Sequence, residues 1–114
     1  MQDNYSITRL DTGDNLITID IQLNEDGGLT ISDWCCGTAA ETFYGSDDVE
    51  SILTIDHDAV CKLYEVLTGT KLTGAAKELA EFLQINKKGN TKILSWLKDI
   101  CAKNKIKYDW VFWP

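Results

Sequence analysis

Proline occurs once and glycine 8 times in 114 residues, which excludes a collagen-like or proline-rich polymer. No apolar run approaches the ~18 residues of a membrane span. The start, Met1-Gln2-Asp3-Asn4, lacks the apolar core of a signal peptide, so a cytoplasmic location and no membrane contact are expected. There is no glycine-rich phosphate loop, no G-x-S-x-G elbow and no H-E-x-x-H helix. Internal repeats, linkers and low-complexity stretches are also missing. With 44% apolar and 25% charged residues, the chain can bury enough surface to offset the entropy of ordering, which excludes a disordered tail. A single domain spanning residues 1–114 is expected.

The 4 cysteines form no paired short spacing of the C-x2-C kind, so neither a zinc site nor any cofactor is expected. Without a secretory signal they read as thiols in a reducing compartment. Cys35 and Cys36 are adjacent, and in a strand they would point to opposite faces, each needing its own partner to form a bridge.

Positive charge is almost absent from the first half. Residues 1–58 carry 13 acids against Arg9, a net −12. Residues 59–114 carry ten lysines against five acids, a net +5, which brings the chain to −7. The acidic side of such a polar molecule repels phosphate and attracts basic surfaces.

Periodicity orders the elements. A weak alternation over residues 5–10 and a turn at 11–14 lead into a clear strand. Ile17, Ile19, Ile21 and Leu23 share one face of it, and Thr18, Asp20 and Gln22 the other. Residues 24–28 read as a hairpin loop, and 29–34 as the returning strand. Residues 35–48 read as a loop holding at most a short strand at 42–44, and 49–55 as a fourth strand. The period then becomes helical. Asp56 caps a helix carrying Val60, Leu63, Tyr64 and Leu67, and Gly69 closes it. A second helix behind Thr73 turns Ala76, Leu79, Ala80 and Leu83 inward. A third, after Lys87-Lys88-Gly89-Asn90, does the same with Ile93, Leu94, Leu97, Ile100 and Cys101. Residues 106–113 alternate as a last strand, with Ile106, Tyr108, Trp110 and Phe112 on one face. The expected fold is α+β: a mostly antiparallel sheet of four N-terminal strands plus a C-terminal strand, with three helices packed on one face.

The run Leu29-Thr30-Ile31-Ser32, then Asp33 and Gly37, the segment Glu41-Thr42-Phe43-Tyr44-Gly45-Ser46-Asp47, Glu50, the helical Lys62-Leu63-Tyr64 and the ending Ile106-Lys107-Tyr108 resemble a diffuse group of small acidic bacterial proteins without assigned function. The chain departs from that pattern where Trp34-Cys35-Cys36 intervene. The resemblance implies a bacterial, single-domain protein and no catalytic residues.

Three function classes compete. An enzyme could use His57 and Cys61, four apart on one helix face, as an activated thiol, but no third group to orient the histidine is evident. A nucleic-acid-binding accessory domain could use the lysines from Lys87 to Lys107 with Trp96 and Tyr108 interleaved, against which stands the net −7. The third class is a non-catalytic protein whose acidic surface occludes a basic partner, such as an immunity or inhibitor protein directed at a toxin or nucleic-acid enzyme, phage anti-defence included. Its candidate contact residues are Asp33, Trp34, Glu41, Phe43, Tyr44, Asp47, Asp48 and Glu50, aromatic anchors ringed by charge. The competing reading of those residues is aromatics in the core and acids solvating a loop. We take the third class as the expectation, with no enzymatic activity. A homodimer through the aromatic C-terminal strand is a further expectation, because that strand carries large side chains on both faces.

Overall fold

Alternating isoleucines and polar residues make Asn15–Leu23 a strand (β2), with Ile19 and Ile21 fully buried and Asp20 and Gln22 exposed. The computed structural model describes residues 4–45 and 48–113, apart from the side chains of Ala39, Phe43 and Tyr44. Around β2 lie β1 (Asn4–Asp11), β3 (Leu29–Gly37), β4 (Asp48–Ile55) and β5 (Asp109–Trp113). They form one antiparallel sheet in the order β1-β2-β3-β4-β5. The α+β fold is therefore as the sequence indicates.

The β2–β3 hairpin turns where Gly27 adopts φ 88° and the Gly28 N–H donates to Asp26 Oδ1 at 2.9 Å. A side chain at Gly28 would bring its Cβ to 2.3 Å from the Ile55 carbonyl oxygen, so only glycine lets this turn pack on the end of β4.

Between β4 and β5 run three helices, α2 (His57–Thr68), α3 (Lys77–Lys87) and α4 (Ile93–Lys103). Asp56 caps α2 as expected, its Oδ1 accepting the Ala59 N–H at 2.8 Å, and Gly69 closes it in the left-handed conformation. Val60, Leu63, Leu79, Leu83, Ile93 and Leu97 form one core with Ile7, Ile19, Ile21, Ile31, Leu53 and Ile55 of the sheet. The inward residues expected for all three helices join that core or pack against it.

Two expectations need correction. Residues 35–48 are not a loop with a short strand at 42–44. The third strand continues to Gly37, and Thr38–Tyr44 form a short helix, α1. Gly37 makes the change of direction possible: its φ is 120°, and a Cβ there would lie 2.1 Å from the Asp14 carbonyl oxygen. Ala39, Ala40 and Glu41 then favour helix, and Gly45 ends it by donating its N–H to the Glu41 oxygen. There are thus four helices among the described residues. The last strand also begins at Asp109, not at residue 106, because residues 105 and 106 terminate α4. Lys105 takes φ 55° and the Ile106 N–H donates to the Cys101 oxygen at 2.8 Å, a Schellman closure that buries Ile106 beside Cys101.

The sheet's two edges differ. A bulge between Ser6 and Thr8 turns the Ile7 carbonyl toward the segment after α3, where it accepts the Gly89 N–H at 2.8 Å. Thr8 Oγ1 donates to the Asn90 oxygen at 2.6 Å, and Gln84 Nε2 donates to the Ser6 oxygen. This ties β1 to α3 and its following turn. At the other edge β5 carries exposed Trp110, Val111 and Trp113.

Candidate functional site

With the core on one side of the sheet, strand alternation sets every second residue on the opposite face. The pairing register aligns these residues in rows across the strands. One row runs Arg9, Thr18, Trp34, Glu50, Trp113, and the next runs Ser6, Asp20, Ser32, Ile52, Val111. By the same alternation Asp11, Cys36, Asp48 and Asp109 belong to this face. It carries the carboxylates of Asp11, Asp20, Asp48, Glu50 and Asp109 against the single cation of Arg9 among the described residues.

A cleft of about 480 Å³ opens on this face, lined by Thr18, Asp20, Ser32, Trp34, Asp48, Glu50 and Trp113. Its two indoles come from strands 79 positions apart in sequence, and Trp113 is 61% exposed. Exposed carboxylates are common, but an exposed tryptophan and a half-buried one beside them are not, since large aromatics are mostly buried.

The residues expected to make contact divide between the two sides of the sheet. Trp34, Asp48 and Glu50 line the cleft. Asp33 does not, because its neighbour in a strand points the other way. It lines a second cavity of about 470 Å³ between α4 and the sheet, with Ser51, Lys92, Ser95, Lys98, Trp110 and Phe112. Burial there pushes the Asp33 carboxyl up to about 6. Glu41 is exposed on α1. The side chains of Phe43 and Tyr44, and all of Asp47, lie outside the described residues. Sequence reasoning left out Asp20 and Trp113. Asp20 was already on the polar face of its strand, whereas the approach of Trp113 to Trp34 follows only from the strand order.

The residues named for the competing chemistries lie elsewhere in the fold. Cys61 Sγ lies 3.8 Å from His57 Nε2 on the exposed first turns of α2. Among the described residues no group of three His, Cys, Asp or Glu side chains could hold a metal ion. The four cysteines are free thiols, and Cys35 and Cys36 point to opposite faces. The Cys35 thiol is pushed up by burial and then by the Asp33 and Cys36 charges, which disfavours the reactive thiolate. In the lysine-rich half, Lys87 lies 4.0 Å over the Trp96 ring and Lys98 3.7 Å over Trp110. Trp96 and Tyr108 are also partly buried against the core.

Comparison with protein-family models, with curated proteins and with solved structures found no match for this chain. No helix among the described residues is long and apolar enough to cross a membrane.

Proposed function

We propose that this chain is a non-catalytic binding protein of the bacterial cytosol that docks a basic protein partner on the face of its sheet opposite the hydrophobic core. One observation carries the reading: a half-buried Trp34 and an exposed Trp113 share a cleft with the carboxylates of Asp20, Asp48 and Glu50, on a sheet face that carries five carboxylates against one arginine among the described residues. Aromatic anchors supply contact area at low entropic cost, and the surrounding charge steers a cationic surface into register. An immunity or inhibitor role against a toxin or nucleic-acid enzyme fits best, because such targets carry cationic sites built for phosphate and an acidic face blocks them by taking its place. Anti-defence action by a phage protein uses the same chemistry. A homodimer would pair along β5, the edge strand that carries exposed Trp110, Val111 and Trp113, and would leave the cleft-bearing face open for the partner.

The test is capture from native lysate by the wild-type chain and by the double variant Asp20→Lys/Glu50→Lys. The reading expects a basic protein held by the wild type, released by salt and lost by the variant. A partner retained equally by the variant overturns it.

A further inference from the structure

The row Trp34, Glu50, Trp113 occupies three adjacent strands in direct register. Neighbouring strands lie about 4.8 Å apart, so the backbone positions of the two tryptophans are about 9.6 Å apart with the glutamate between them. A flat group held midway above the sheet lies about 4.8 Å, one strand spacing, from the strand that carries each tryptophan, a separation compatible with the ~6 Å reach of a cation–π contact. The slot's floor is a carboxylate: Glu50 is half-buried, and makes no hydrogen bond or ion pair within the described residues. Thr18 and Ser32 hydroxyls and the Asp20 carboxylate complete the lining on the β2 side.

We propose that this slot takes one arginine side chain of the docked partner, a reading that rests on the docking function above. The planar guanidinium stacks between the faces of Trp34 and Trp113 and points two N–H groups at the Glu50 carboxylate. Arginine suits the slot better than lysine for two reasons. Its guanidinium is flat and weakly hydrated, so it stacks at little desolvation cost, and its fork matches a carboxylate with two parallel hydrogen bonds. An ammonium has no flat face to present to the second ring. The negative face around the slot adds long-range attraction for either cation and so does not discriminate between them.

The experiment compares hexa-arginine and hexa-lysine, peptides of equal charge, by titration against the full chain. The indole Nε1–H signals are followed by NMR and assigned with single tryptophan variants. The wild type should bind hexa-arginine about tenfold more tightly than hexa-lysine, the size of one well-placed cation–π and bidentate contact. The signals of Trp34 and Trp113 should shift, and those of Trp96 and Trp110 should not. Trp113→Ala, at an exposed position that leaves the core intact, should reduce the preference to within about twofold. Trp113→Phe should retain most of it, since a flat ring remains. Equal affinity for the two peptides, or a preference unchanged in Trp113→Ala, overturns the arginine slot. If binding of both peptides is then still lost in Asp20→Lys/Glu50→Lys, the docking face survives that failure. Absence of binding by either peptide overturns both proposals.

Discussion

Replacing Asp33 by Asn should stabilise the protein at neutral pH, and the gain should disappear in acid. Asp33 sits in the cavity between α4 and the sheet, where burial moves its carboxyl from 3.8 to about 6. No ion pair with Lys92 or Lys98 offsets that burial, since the one salt bridge between described side chains joins Lys77 and Glu81. Between pH 3.8 and 6 the folded chain holds this proton and the unfolded chain does not. Stability from this group is thus fully present below the unfolded value and declines as pH rises toward 6. A shift of that size corresponds to about 3 kcal/mol at neutral pH. Asp33 is only half-buried, and solvent screening reduces the figure to about 1–2 kcal/mol. Asparagine keeps the shape without the charge. Urea denaturation of both proteins at pH 7.5 should therefore favour the variant by ~1–2 kcal/mol, and at pH 3.5 the two curves should nearly coincide. A variant no more stable than the wild type at pH 7.5, or one equally more stable at both pH values, refutes the reasoning.

Further outcomes follow from other sites. Asp56→Ala removes the acceptor of the Ala59 N–H and should cost about 1 kcal/mol in chemical denaturation, whereas Asp58→Ala on the same helix turn should change little. Cys61→Ser should leave biological activity intact at matched folded concentration; a folded variant that loses activity while still binding its partner would restore the thiol-enzyme reading. Purified protein should carry less than about one equivalent of zinc by elemental analysis and keep its melting temperature in chelator, because its core needs no metal staple at this length.

Much of the fold was legible because its signals are local. The isoleucine alternation in β2, the Asp56 cap and the Gly69 stop each depend on neighbours within one or two turns of chain. The segment 35–45 was harder. It has no clear period, and the strand-to-helix switch rests on Gly37 passing 2.1 Å, by its absent Cβ, from an oxygen in another strand's turn. The start of β5 was misplaced for a similar reason, since the alternation through Ile106 and Tyr108 is also compatible with a helix closure that only the left-handed Lys105 reveals. For the site, composition drew attention to aromatics among acids around Trp34 and Glu50, which the strand register pairs directly. Grouping Asp33 with Trp34 as contact residues, however, overlooked that the strand read over residues 29–34 sends them to opposite faces. The partner of Trp34 was beyond reach of local signals, because Trp113 joins it only once the chain has returned through three helices to the β4 edge.

The central claim, that the acidic sheet face and not the lysine-rich half makes the functional contact, is tested most directly by association kinetics. The captured partner is mixed in stopped flow with the wild type, with Asp20→Lys/Glu50→Lys, and with Lys87→Glu/Lys88→Glu/Lys92→Glu, at low and at physiological ionic strength. The account predicts that reversing Asp20 and Glu50 slows association at least about tenfold at low salt and weakens its salt dependence, because charges around an interface act through steering that ions screen over ~8 Å at physiological strength. The lysine reversals should leave the rate unchanged or raise it. An association rate unaffected by reversing the acids and abolished by reversing the lysines would contradict the account and move the contact to the basic half of the molecule.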